Sequence, residues 1–293
     1  GYAVKEHHVA ARAVGIVMDV NTGAVLAMST TPSYDPNQPR VIADKAAREA
    51  VEGLTGSERA AALQLAQQTQ WRNKAVSDLY EPGSVFKLIT CAAALDTGAI
   101  GKHSSFYCGD SISVAGTRFH CANHKRHGAQ TVTQALENSC NPVFTQLALR
   151  LGSERFYQYL HAFGLGSRTG IDLYGEASGI LIGQNRVKNV DLARIGFGQS
   201  VAVTPIQMIT AACAVVNGGR LMKPYLVEAI EDSDGNVLKQ TRPKVVSTPI
   251  SAETSATMRK LLYGVVENGG GKNAKVNGYA IGGKTGTAQE DLK

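Results

Sequence analysis

Residues 80–98 read YEPGSVFKLITCAAALDTG, and nearly every position after the turn at Pro82-Gly83 is apolar. Val85, Phe86, Leu88, Ile89, Cys91, Ala92, Ala93, Ala94 and Leu95 run round the whole circumference of a helix that ends at Asp96-Thr97-Gly98. A helix that is apolar on all sides is buried among other elements, so this segment marks the centre of the fold. Two polar residues open it. Ser84 and Lys87 stand three apart and share a face, and Ser84 lies where unpaired N–H groups and the positive end of the helix dipole gather. The pair has two readings. Either Ser84 caps the helix and Lys87 reaches past apolar surface to water, or the amine is held inside, loses its charge readily and stands as a base beside a nucleophile.

Outward from this helix, the pattern is mixed. AVGIVMDVNTGAVLAMST, starting at Ala13, reads as two strands joined through Asn21-Thr22-Gly23, the turn chemistry of a hairpin. Short helices are expected around Ala43–Val51 and Ser57–Gln70. Helical periodicity then dominates, at Thr133–Asn138, Pro142–Leu151, Ser153–Phe163 and Pro205–Val216, each with a cap, a proline or a closing glycine. Strand-like sequence returns at Tyr225–Ile230, Val237–Lys239 and Tyr279–Ile281. The economical arrangement is an α+β fold, an antiparallel sheet made from both chain ends with a helical region inserted between them. The 293 residues, 43% of them apolar, suffice for one sizeable core. No apolar run is long enough to span a bilayer, and the first residues lack the pattern of a signal peptide. The net charge of +6 is scattered, with only Lys125 and Arg126 closely clustered, which argues against nucleic acid as a partner.

Two further motifs give the opening pair its meaning. ENSCNPVF supplies Ser139-Cys140-Asn141, and GGKTGTAQ supplies Lys284-Thr285-Gly286-Thr287. Ser-x-x-Lys, then Ser-x-Asn, then Lys-Thr-Gly, in that order, resembles the signature of the penicillin-binding proteins and serine β-lactamases. The phrases WRNKAVSDLYEPGSVFK, ENSCNPVF and FGQSVAVTPIQMITAACAVVNGG resemble the class B transpeptidases of cell elongation, division and sporulation, and the resemblance covers almost the whole chain.

The resemblance implies the penicillin-binding protein and serine β-lactamase-like transpeptidase fold, and a catalytic domain over residues 1–293. It also implies roles. Ser84 attacks the carbonyl between the terminal D-alanines of a peptidoglycan stem peptide, with Lys87 as its base. Ser139 relays the proton toward the leaving amine, and the Asn141 amide holds Lys87 and the substrate backbone. Lys284, Thr285 and Thr287 bind the substrate carboxylate, and Gly286 lets a substrate strand lie alongside. The oxyanion hole uses the N–H groups of Ser84 and Thr287. β-Lactam antibiotics are expected to acylate Ser84 and stay. No cofactor is expected for catalysis. A serine β-lactamase or D,D-carboxypeptidase is the nearest alternative, and the absence of a Glu-x-x-Leu-Asn segment argues against a class A β-lactamase. A penicillin sensor or inactive scaffold would keep Ser84 without turnover.

Family domains continue past Lys-Thr-Gly-Thr and carry a membrane anchor and an N-terminal pedestal. The chain is therefore expected to be an excised piece of an enzyme working on the extracytoplasmic face of a bacterial membrane. A membrane glycosyltransferase is the implied partner.

Five cysteines are an odd number for a disulfide framework. Cys91 and Cys213 lie in apolar helices and read as core. Cys108, Cys121, His124, His127 and Cys140 instead make a C-x12-C-x2-H-x2-H-x12-C array. Cys140 sits between two residues that must face a cleft, so it points the other way. Cys108, Cys121, His127 and Cys140 suit a closed tetrahedral zinc site of structural kind. A Cys108–Cys121 disulfide and free buried thiols are the competing readings, and His124, beside Lys125, is expected at the surface.

Overall fold

The computed structural model describes residues 12–287. Strands β1 (Ala13–Met18) and β2 (Val25–Thr31) pair antiparallel through the expected Asn21-Thr22-Gly23 turn. Asp19 closes that turn by accepting the N–H groups of Asn21 and Thr22. Beyond the hairpin come α1 (Lys45–Glu52), α2 (Gly56–Trp71) and the single turn α3 (Lys74–Ser77). Met18 and Val25 pack with Ala75, Val76, Ile171 and Ile206 in a small core beneath the hairpin.

The opening stretch occupies the centre of the larger core. A 3-10 turn, Gly83–Phe86, leads into α4 (Lys87–Asp96), in which every residue from Lys87 to Ala94 is buried. It packs against α6 (Asn141–Ala162) and α8 (Pro205–Val216), and α7 (Asn189–Gly196) packs on α6. The two helices expected over 142–163 are one element broken at Gly152, whose φ of 73° and ψ of 163° no helix can hold. Threonines set the helix starts. Thr131 and Gln134 form a capping box on α5 (Val132–Glu137), and Thr204 and Gln207 do the same on α8.

Two small hairpin layers that periodicity did not reveal lie between α4 and α5. Strand β3 (Ser105–Cys108) pairs with β6 (Gly128–Thr131), and β4 (Ser111–Val114) pairs with β5 (Thr117–His120). The β4–β5 turn places Ala115 at φ 47° and Gly116 at φ 83°, a turn with two left-handed central residues. Alanine in the first of these positions is why the turn was not legible.

The last third holds β7 (Leu221–Met222), β8 (Ala229–Glu231), β9 (Val237–Gln240), β10 (Val245–Ser247) and α9 (Ala252–Glu267). Strand β8 pairs with β9, and β10 with β7, while Tyr225 bridges to Ala24 beside the first hairpin. The strand expected at Tyr279–Ile281 has no ladder among the described residues. Its continuation lies along α9 instead, with Gly283 N–H donating to the Leu262 carbonyl at 3.1 Å. Ala288 and Gln289 of the last motif fall outside the described residues.

Candidate active site

The turn bearing Ser84 is formed by backbone held against backbone. Gly83 N–H donates to the Gly198 carbonyl at 2.9 Å, and a Cβ on Gly198 would fall 2.0 Å from the Gly83 carbonyl oxygen. Only glycine fits there. Glu81 Oε1 accepts the Ser200 N–H at 2.8 Å and holds Ser200 at φ 57°. These contacts clamp the FGQS loop to the YEPGS turn. Neither Glu81 nor Gly198 was singled out from sequence, although both belong to the quoted phrases.

The reading of Ser84 as a helix cap fails, because its side chain caps nothing and the α-helix begins only at Lys87. In a 3-10 turn residues three apart eclipse one another, which brings Lys87 Nζ to 3.0 Å from Ser84 Oγ. Nor does Lys87 reach water, being fully buried. Its amine meets the Ser139 carbonyl at 2.7 Å, Asn141 Oδ1 at 2.7 Å and Ser139 Oγ at 3.0 Å. The two carbonyl oxygens can only accept, so they take the two N–H bonds of a neutral amine. Its lone pair is left facing the hydroxyls. Burial and the charge of Lys284 lower the Lys87 pKa to about 7, with the Cys140 and Cys121 thiols acting the other way. The amine can therefore accept the Ser84 proton.

Ser139 closes helix α5 at φ 52°, a conformation usually given to glycine at a helix end. A hydroxyl stands there instead, and it accepts from Lys284 Nζ at 2.9 Å while lying 3.0 Å from Lys87 Nζ. Ser139 Oγ thus lies between the two lysines, placed to pass a proton from Lys87 toward a leaving group. Asn141 opens α6. Its Nδ2 donates to the His120 carbonyl at 3.1 Å, so this amide joins Lys87 to strand β5. The expectation that it also holds the substrate rests on the second Nδ2 hydrogen.

Lys284 forms the facing wall, and burial lowers its pKa to about 8. Thr285, Gly286 and Thr287 are exposed, open to a ligand. Gly286 has a packing reason beyond the one expected: a Cβ there would meet Val85 Cγ2 at 2.7 Å. Its absence lets this segment close on the Ser84 turn.

Behind the Ser139–Asn141 turn, the four expected ligands come together. The ligand atoms of Cys108, Cys121, His127 and Cys140 lie within 4.8 Å of one another. Cys108 ends β3, Cys121 follows β5, His127 precedes β6, and Cys140 precedes α6. All five cysteines are free, and Cys91 and Cys213 are buried core residues as read. A hydrogen bond from Cys140 and the charge of His127 hold the Cys121 thiol below the usual range, whereas Cys140 is pushed up by the Cys121 thiolate and by burial. Three sulfurs and one imidazole fit zinc: tetrahedral bonds of about 2.3 Å set sulfurs about 3.8 Å apart, inside the 4.8 Å that bounds this cluster.

A serine hydroxyl beside a buried amine, a bridging hydroxyl and a lysine on the facing wall are the parts that serine acyl transfer requires. The penicillin binding protein transpeptidase domain family matches residues 13–292, and the chain belongs to that family. It is 40% identical over 279 residues to stage V sporulation protein D of Bacillus subtilis, covering 94% of this chain and 40% of that one. It is 34% identical over 282 residues to the penicillin-binding protein PbpB of Mycolicibacterium smegmatis, with 94% and 40% covered. Among solved structures, penicillin binding protein 3 of Mycobacterium tuberculosis in complex with aztreonam is similar at a TM-score of 0.81 and 31% identity, covering 98% of this chain and 60% of that chain. The D,D-transpeptidase domain of a peptidoglycan glycosyltransferase from Eggerthella lenta is similar at 0.84 and 26%, covering 99% and 69%. The chain spans about 40% of the length of the curated relatives it matches.

Proposed function

We propose that this domain is a peptidoglycan D,D-transpeptidase and a target of β-lactams. The observation that carries the reading is the convergence of Ser84, Ser139 and Asn141 on one buried amine. Ser84 Oγ bonds to the carbonyl carbon between the terminal D-alanines as its proton passes to Lys87 Nζ. The C–N bond then breaks, and the departing D-alanine takes a proton through Ser139. An amine from a neighbouring stem attacks the ester, returns the hydroxyl to Ser84 and leaves a cross-link. The relatives' names include a peptidoglycan D,D-transpeptidase and a sporulation protein, in keeping with work outside the cytoplasmic membrane. A membrane glycosyltransferase that lays down glycan strands is the partner this reaction calls for.

The test supplies a D-Ala-D-Ala stem peptide and an acceptor amine, and follows products by mass spectrometry. A cross-linked product with release of D-alanine is expected. Hydrolysis alone would make the domain a carboxypeptidase, and a stable acyl-enzyme with no product would make it a sensor.

Two expected results concern the lysines. The rate constant for acylation by benzylpenicillin should be bell-shaped in pH. It rises as Lys87 loses its proton at about 7 and falls as Lys284 loses its charge at about 8. Stopped-flow acylation from about pH 5 to 10 checks this, and an acid side that stays flat counts against Lys87 as base. Lys284→Ala should weaken reaction with carboxylate-bearing penicillins by about 10–100-fold, the worth of one to two charge-assisted hydrogen bonds. Reaction with a small neutral acylating agent should change far less, and equal losses would mean general damage.

Cys108, Cys121, His127 and Cys140 hold one zinc ion that braces the Ser139–Asn141 turn from behind. The support is the mutual approach of four competent ligands, three of them buried cysteines. With four protein ligands no position is open to water, so this zinc supports structure and takes no part in the reaction.

A further inference from the structure

A second group of ligands lies at the open end of the β4–β5 hairpin. Asp110 precedes β4 and His120 ends β5, next to each other at the open end where Ser111 pairs with His120. His124 completes the group from the turn after β5. The carboxylate and the two imidazoles offer ligand atoms within 4.8 Å of one another, with the histidines exposed and Asp110 half-buried. The imidazole rings stand 4.3 Å apart, centroid to centroid, at 56°. Neither stacks flat on the other, so their nitrogens can converge on one point.

We propose that Asp110, His120 and His124 form an exchangeable site for a divalent transition-metal cation of the zinc, cobalt or nickel kind. The donor set carries the chemistry. Imidazole favours these borderline ions over magnesium and calcium, and one carboxylate lowers the charge without making a hard oxygen cage. Three protein ligands leave positions for water, so the ion is held more loosely than in a closed set of four.

The backbone at these positions supports a shared task. Asp110 sits at φ 110° and His124 at φ 51°, conformations in which L side chains are uncommon. The Asp110 carbonyl accepts the Cys121 N–H at 2.7 Å, so Asp110 and His120 are held at either side of the hairpin mouth. The Ser111 hydroxyl donates to Asp110 Oδ1 at 2.8 Å and keeps one carboxylate oxygen turned in, leaving the other for an ion. The site has a route to the reaction, because the His120 carbonyl holds Asn141, which holds Lys87. An ion clamping the hairpin mouth steadies that carbonyl.

Cobalt(II) is the probe, added to the purified chain without a histidine tag. Thiolate charge-transfer absorption reports a cysteine-bound ion, while calorimetry counts every ion bound. A second equivalent that binds without adding to the thiolate band is expected. His124→Gln and Asp110→Asn should each weaken that equivalent by about tenfold or more while leaving the thiolate band as it was, which also shows that the variants fold. If cobalt gives no thiolate band at all, the weaker equivalent is still counted, so failure of the zinc reading and failure of this one are distinguishable. No equivalent outside the thiolate band up to millimolar cobalt overturns the proposal. So does a second equivalent that binds both variants as tightly as the parent chain.

Discussion

Benzylpenicillin should add one covalent adduct to this domain, on the peptide containing Ser84, and Ser84→Ala should carry none. The loss is complete because Ser84 Oγ is the hydroxyl that a buried amine faces at 3.0 Å from the open side of the cleft. Ser139 Oγ is the same distance from Lys87 but is also held by Lys284. An adduct that persists on Ser139 in the variant would reassign the nucleophile. The companion change, Lys87→Ala, should slow acylation by about 10²–10⁴-fold, the usual contribution of a general base. It also leaves a cavity and two unpaired carbonyl oxygens, so Lys87→Met, which fills the space, separates lost base from lost packing. Both variants should be slow to a similar degree. Acylation at the parent rate in either would reduce Lys87 to a helix residue.

Removing metal should lower the melting temperature by on the order of 10 °C and slow acylation of Ser84 at the same time. Structural zinc contributes its binding free energy to folding, and in a domain of this size each kcal/mol lost lowers the midpoint by about 2–4 °C. The coupling to rate follows from position: Cys140 lies between Ser139 and Asn141, which hold Lys87. Elemental analysis of protein purified without chelator should find one tightly held zinc. No stoichiometric zinc, together with a Cys108–Cys121 disulfide by mass spectrometry, defeats the assignment. A stripped protein that melts and acylates like the native one leaves the metal incidental. Cys140→Ser tests the same link without chelator and should lower melting temperature and acylation rate together.

Features resting on neighbouring residues could be read before any coordinates. The Asn21-Thr22-Gly23 hairpin and the burial of α4 follow from side chains one to four positions apart, whose physics is local. The order of the three motifs carried the family, and the four proposed zinc ligands could be named as a group because their chemistry is particular to cysteine and histidine. Contacts between distant segments were not legible in this way. Nothing near Tyr279 says that its continuation lies along α9 instead of forming a ladder, since a strand exists only if another backbone presents its free edge. The glycines at 198 and 286 are required by the Gly83 carbonyl and by Val85, groups far away in sequence. Whether Lys87 reaches water was likewise decided by distant groups: the Ser139 carbonyl and Asn141 meet its amine in a place sealed by other helices. Local propensity depends on residues within a turn or two, whereas burial and the meeting of remote groups depend on how the whole chain packs.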